Sequence, residues 1–445
     1  MSSETANPWV AGTDQSVESQ SALGATEAGG RSHLSWRHPA GMWGLSVVNF
    51  VLRIITLGIY DFWGRSEVRQ RLWSSIRFMR EPLVYTGTGK ELFLGFLIIF
   101  GIILIPILLI SAGVFFVFGP NSPVSAAYQL MLYLGIFLLV GMAIYRAQRY
   151  RLSRTTWRGI RGSLSGNSMS YAWTHFWTLL LIGPTLGWIV PWRSTKLQGL
   201  ITSHAHFGDR AFQFNATAGP LYKSFAVLWF GVVAIFVVGS TVIGGAVATA
   251  TAEFGGLDVK TPEAELGKQF VGMTMLVVLI VGYLLYLVMS AWYRSRMINH
   301  FAQATTFEGA RFKGHVRGLG LLWIDFTNLL ILAIGPLLFL GAVFGLIAGV
   351  GFLGPGVPTS LPVATGSDAL TQGQILGAIF APLLLIVAFL TFTLFLPVTQ
   401  ARSMRYLIER LSLDGHIPVE DILQSTAEQT KTGEGLAQAF DVDGF

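Results

Sequence analysis

The chain has 445 residues, of which 52% are hydrophobic and only 12% charged, with a net charge of +6 and no cysteine. Soluble domains carry about 25% charged residues, so this composition excludes a soluble globular enzyme and a disordered chain. The missing cysteines exclude a disulfide scaffold, a thiolate metal site and a Cys nucleophile.

What remains is an all-α polytopic membrane protein. Residues 1–35 are rich in Ser, Thr, Gly, Ala and Glu. They lack the basic and apolar regions of a signal peptide and read as a disordered tail. The membrane domain is expected over 36–411. Its first apolar segment, 42–60, carries Arg53 at its centre. From Leu92 to Tyr145 there is no charged residue. A span needs about 20 apolar residues, so this stretch holds two spans, 92–118 and 127–145. The turn between them is marked by Gly119, Pro120 and Pro123. The segment 171–192 follows, broken by Gly183-Pro184 and Pro191 and rich in tryptophan. A second hairpin pairs 224–250 with 270–293 across a polar stretch. A third pairs 323–353 with 374–398 across a Gly/Pro/Ser/Thr loop. Residues 412–445 form an acidic tail.

Charge assigns the sides. The hairpin turns carry few cations: none in the first, Lys260 and Lys268 against four acids in the second, none in the third. The segments between hairpins hold the arginines, among them Arg65, Arg146, Arg149, Arg193, Arg294 and Arg402. The positive-inside rule places those segments and both termini in the cytoplasm. Full crossing by 171–192 would invert the later hairpins and send Arg294–Arg317 outside. Both 42–60 and 171–192 therefore read as re-entrant or interfacial. The expected fold is three transmembrane hairpins (six spans) plus these two segments.

The chain also repeats itself. Asn49-Phe50 with Thr56-Leu57-Gly58 and Trp63 matches His175-Phe176 with Thr185-Leu186-Gly187 and Trp192. A weaker third copy begins at Asp325-Phe326 and continues through Gly335-Pro336. Asn49, His175 and Asp325 thus share one polar repeat position. Arg-Ser recurs at 65–66, 193–194, 294–295 and 402–403, followed by aromatic and glycine residues suited to small β-turn elements. Gly341, Gly345 and Gly349 form a stripe at helical spacing that lets helices approach closely, as do Gly244 and Gly245 with their Ser-x-x-x-Gly and Thr-x-x-x-Gly partners.

The segments Tyr85-Thr86-Gly87-Thr88-Gly89-Lys90-Glu91-Leu92-Phe93, Arg149–Gly162 and Gly433–Val442 resemble the YjgN-like family over residues 40–445. That resemblance implies a bacterial inner-membrane protein. It brings no established activity. The third copy departs from the pattern, because its Thr-Leu-Gly turn and Pro-Trp are missing.

No catalytic constellation stands out. Gly87-Thr88-Gly89-Lys90-Glu91 lacks the first glycine and the Ser or Thr of a phosphate loop. Ser163 to Gly166 lacks the first glycine of a nucleophile turn, with His175 as the nearest candidate base. His204, His206 and Asp209 lack the further ligands of a metal site. The expectation is a non-enzymatic scaffold or accessory subunit with no cofactor. The alternative is a transporter or channel for a small solute or lipid, using Asn49, His175 and Asp325. The arginines listed above would meet anionic headgroups or a protein partner, which includes a second copy of the chain. Nucleic acid is not expected.

Overall fold

The computed structural model describes residues 34–254, 262–353, 391–415 and 417–425. Long helices stand on one side of a layer of short antiparallel strands. The chain returns to that layer after each helical pair.

In chain order, β1 (Leu34–Trp36) precedes a short helical pair, α1 (Met42–Ile55) and α2 (Asp61–Ser75). β2 (Ile76–Phe78), β3 (Glu81–Pro82) and β4 (Val84–Tyr85) follow. The first long pair is α3 (Gly89–Phe118) and α4 (Pro123–Ser153). α3 widens into a π turn over Phe100–Leu104, just before Pro106. Proline lacks an amide donor and its ring presses on the carbonyl four residues back, which the wider turn relieves. Next come β5 (Thr155–Trp157), β6 (Ile160–Leu164), and the short helices α5 (Ser168–Leu180) and α6 (Val190–Thr202). β7 (Ala205–Phe207), β8 (Arg210–Ala211) and β9 (Gln213–Phe214) lead to a second long pair, α7 (Gly219–Phe254) and α8 (Pro262–Gln303). β10 (Thr305–Phe307), β11 (Ala310–Gly314) and α9 (Gly318–Leu353) come next. Residues 391–408 form α10, before β12 (Leu411–Asp414).

The fold is that of an all-α polytopic membrane protein. Among the described residues, five helices are long and apolar enough to cross a membrane: α3, α4, α7, α8 and the first part of α9. Most of the sixth expected span, 374–398, lies outside the described residues. So do Gly433–Val442 and the loop between α9 and α10.

The segments 42–60 and 171–192 become tight helical hairpins with superposable turns. In both, a leucine and a glycine take left-handed backbone: Leu57 (φ 51°) with Gly58 (φ 92°), and Leu186 (φ 48°) with Gly187 (φ 82°). Gly58 N–H donates to the Arg53 carbonyl at 2.8 Å, and Gly187 N–H to Ile182 at 2.7 Å. Each Thr hydroxyl caps the carbonyl four residues back, at 2.7 Å for Thr56 and 2.6 Å for Thr185. An arm of 14 residues, such as α1, extends about 21 Å. That is shorter than the roughly 30 Å of a bilayer's hydrocarbon core.

The strands are more extensive than the small turns the sequence suggested. They form three antiparallel sheets, ordered β1-β2-β3, β4-β5-β6-β7-β8 and β9-β10-β11-β12. Two-residue turns link the hairpin strands. Met79-Arg80, Arg158-Gly159 and Glu308-Gly309 have positive φ at both positions, as a type I′ turn requires. An aromatic residue precedes each of the four turns. Those residues converge: Phe78 meets Trp157 at 4.9 Å, Trp157 meets Phe207 at 6.0 Å, and Phe207 meets Phe307 at 6.2 Å between ring centres. Leu413, Ile417 and Ile422 from the C-terminal segment complete this core.

Residues 411–415 and 417–425 are therefore part of the layer. Asp209 and Leu423 exchange hydrogen bonds, at 3.1 and 3.0 Å. Gln424 reaches Gly159 at 2.8 Å. The helices close as well: Met42, Val68 and Leu72 pack with Val398, Ala401 and Met404, so α10 rests on the first short pair.

Gly208 is the tightest point of this lock. It has φ +61°, and a Cβ there would sit 2.2 Å from the Leu423 carbonyl oxygen. Gly208→Ala should cost at least about 1–2 kcal/mol from the left-handed backbone alone. It should also speed protease cleavage after Leu413. Unfolding midpoints and limited proteolysis in detergent micelles would measure both.

Candidate functional site

The arginines between hairpins are the strongest chemical feature, and the structure shows how they are used. Many are bound within the protein. Arg65 bonds Asp61 at 2.7 Å, and Arg53 reaches the same carboxylate. Arg154 pairs with Glu91 at 3.0 Å, and Tyr150 OH donates to that carboxylate at 2.6 Å. Arg158 grips Glu81 with two hydrogen bonds of 2.9 Å and covers the Trp157 ring at 4.7 Å. Arg149 donates to the Gly166 carbonyl and stacks over Tyr145. Arg294 pairs with Asp325 at 2.6 Å, and Arg402 donates to the Thr327 hydroxyl at 2.7 Å.

Of the six arginines expected to meet headgroups or a partner, Arg65, Arg149, Arg294 and Arg402 thus hold protein groups. Arg146 is exposed on α4. Arg193 is half-buried on α6. Neither makes a hydrogen bond or ion pair among the described residues.

The polar repeat positions differ from one another. Asn49 is buried, and its Nδ2 donates to the Gly64 carbonyl at 3.4 Å. His175 is buried where α5 crosses α4; a Cβ on Gly141 would lie 3.1 Å from its own Cβ. Asp325 is partly exposed in its ion pair. The buried polar residue of the third copy is Asn328, one turn on, bonded to Ser403 at 2.9 Å. No hydrogen bond or ion pair joins Asn49, His175 and Asp325. Arg294-Ser295 lies on long helix α8, whereas the other three Arg-Ser pairs lie on α2, α6 and α10.

The glycine stripes also resolve into particular contacts. Nothing lies within 4 Å of a Cβ placed on Gly244, Gly245 or Gly341. Gly345 and Gly349 lie on α9, with surroundings outside the described residues. Close approach instead uses Gly231 against Met289, Gly239 against Val278, and Gly282 against Ile235, all between α7 and α8. These residues line an apolar groove of about 470 Å³. Spacing alone could not show which glycine faces the neighbouring helix.

The weaker motifs have structural uses. Gly87 packs on the Tyr85 ring and Gly89 on Trp63. Ser163 contacts Ser425 at 3.3 Å. His204 and His206 hydrogen-bond backbone carbonyls at 2.8 and 2.9 Å, and Asp209 holds Leu423. Sequence reading missed the hairpin aromatics Phe78, Trp157, Phe207 and Phe307. Their signal was an aromatic residue followed at once by turn residues, with glycine at 159, 208 and 309.

The domain model for a bacterial protein of unknown function, DUF898, matches residues 40–439. The chain belongs to that family. It is similar to the inner membrane protein YjgN of Salmonella typhimurium, 35% identical over 69 residues, 16% of this chain and 18% of the relative. YjgN of Escherichia coli O157:H7 is 27% identical over 156 residues, 34% of this chain and 35% of the relative. The matches thus span about a third of these relatives or less. No solved structure matches. For this DUF898 protein, the name of these relatives agrees with the five long apolar helices among the described residues, which are those of a membrane protein.

Two measurements probe these pairs. Arg158 holds the exposed Glu81 carboxyl below its usual value of 4.5, and Lys313 does the same for Asp414, usually 3.8. A lowered folded value gives stability that is full above the ordinary value and is lost as pH falls through the folded one. Trp157 fluorescence should therefore change as pH falls below about 4.5, because Arg158 covers its ring. Glu81→Gln should flatten that change. For Arg294 and Asp325, a double-mutant cycle with Gln and Asn should give a small coupling, about 0.2–1 kcal/mol for a largely exposed pair.

Proposed function

We propose that this protein is a non-enzymatic scaffold or accessory subunit of a complex in the bacterial inner membrane. The strand layer and both termini face the cytoplasm in this reading. It rests on the arginines, which gather at the strand layer and the nearby helix ends. The two short hairpins are re-entrant: they leave the layer, turn within the bilayer and return. Their tips support this, since Leu57 is 94% and Leu186 is 74% exposed. Leucine held in left-handed backbone and facing water would be doubly unfavourable, whereas lipid suits its side chain.

The observation that carries the scaffold reading is the bare flank of the α7–α8 pair. Its long apolar stretches pack on each other and, among the described residues, are hardly covered by other parts of the chain. Phe230, Phe236 and Met273 all face outward. The groove between the helices is lined by apolar side chains and small residues that allow a close approach. Lateral association with another membrane protein would use such a face. The arginines support the same reading, because many serve to lock the layer.

A photo-crosslinking residue at Phe236 or Leu284 tests this in native membranes. The expected result is an adduct with a protein of discrete mass, either a second copy or another subunit. Adducts to lipid alone would count against the scaffold. So would liposome flux of a small solute that His175→Ala and Asp325→Asn both abolish. That second result would reassign the protein as a transporter or channel.

A further inference from the structure

We infer that the second short hairpin, α5–α6, carries a binding site for a phosphate group, held by Arg193 with His175 and Tyr171 beside it. The phosphate belongs to an anionic lipid headgroup or is free phosphate. The two share the chemistry that the site recognises.

Charge balance is the first reason. Residues 92–208 hold seven arginines and one lysine, and no Asp or Glu. In the other copies an internal group answers the arginine. Asp61 holds Arg53 and Arg65, Asp325 holds Arg294, and Thr327 accepts from Arg402. The second hairpin has Val190 where the turn-aligned first copy has Asp61, and His175 where the third has Asp325.

The geometry of the hairpin is the second reason. Tyr171 and His175 lie one turn apart on α5 and are 5% and 8% exposed. Their rings stack at 6.3 Å. Both lie within electrostatic reach of the Arg193 guanidinium on α6. His175 Nδ1 and Arg193 Nε are buried and have no hydrogen-bond partner. A buried donor or charge without a partner is costly. Phosphate oxygens would satisfy a guanidinium in two-toothed fashion and accept from an imidazole N–H. Lys196, one turn along α6, is exposed and adds a second cation to that helix.

Depth favours a headgroup as the source. Trp173, Trp177 and Trp192 lie along the arms of the hairpin, each between 44% and 52% exposed. Tryptophan gathers at the membrane–water boundary, where lipid phosphates lie.

The test uses the full chain in nanodiscs and in lipid-free detergent. Native mass spectrometry would read retained phosphatidylglycerol, and calorimetry would read inorganic phosphate. Arg193→Gln should weaken binding about tenfold or more, as expected for one lost charged hydrogen-bonded pair. Arg193→Lys should restore part of it. His175→Asn gives an independent reading if Arg193→Gln fails to fold. Arg405→Gln, in the separate Arg405–Glu409 pair on α10, should change nothing. Loss of phosphatidylglycerol without an effect on inorganic phosphate identifies a headgroup. Loss of both, with phosphate displacing the lipid, identifies a phosphate pocket open to either source. Equal binding of both probes by the parent, Arg193→Gln and His175→Asn would overturn the site.

Discussion

The architecture depends on one convergence of aromatic side chains beneath the helices. Phe78, Trp157, Phe207 and Phe307 come from four hairpins spread over some 230 residues of chain. They meet in a single core, with Ile417 and Ile422 set among them. Each sits immediately before a two-residue turn with left-handed backbone. That position leaves little freedom, so the tight turn aims the ring. Aromatic pairs at these distances add to the area they bury. Within a bilayer, apolar helices gain little from meeting one another, because lipid tails are as apolar as leucine. The water-facing layer is where burial has its full effect. It gathers the helical pairs that the membrane alone would leave loosely associated.

The arginines follow from that arrangement. They occupy the boundary between the layer and the helices, where several of them pair with carboxylates. Asp61, Glu81 and Glu91 lie before or at the start of the first long pair, Asp325 lies far along the chain, and the four serve different arginines. One sequence feature thus has two roles. Its abundance at one end of the helices orients a membrane chain, and its pairings hold the layer together. Arg193 on α6 remains outside this network, and it lies in the acid-free stretch of the chain.

Two of the aligned segments share a turn in backbone and differ in side chains. The turns at Leu57-Gly58 and Leu186-Gly187 share their dihedral angles and hydrogen bonds. The third copy has long helix α9 in place of a short arm, and Pro336 lies inside it. The shared polar position does not carry over in the same way. Asn49 and His175 are buried, Asp325 is drawn out to Arg294, and Asn328 takes the buried place. The residue before Phe marks the aligned segments in the sequence. It did not fix the face on which each residue would lie, since three residues of drift turn a helix by about 300°.

The sequence by itself determined the membrane class, the apolar runs, the gathering of cations at their ends and the two Thr-Leu-Gly turns. All of these are local properties. A run of about 20 apolar residues is a span wherever it occurs, and Thr-Leu-Gly carries its own turn. Only the tertiary structure decided which arginines are bound and which glycines touch a neighbour. It also decided that residues 411–415 and 417–425 belong to the strand layer. Those outcomes join residues far apart in the chain, such as Tyr150 to Glu91 and Arg161 to Ser425. Composition and spacing describe what a segment can do. The partner that reaches it is set by how the segments are brought together.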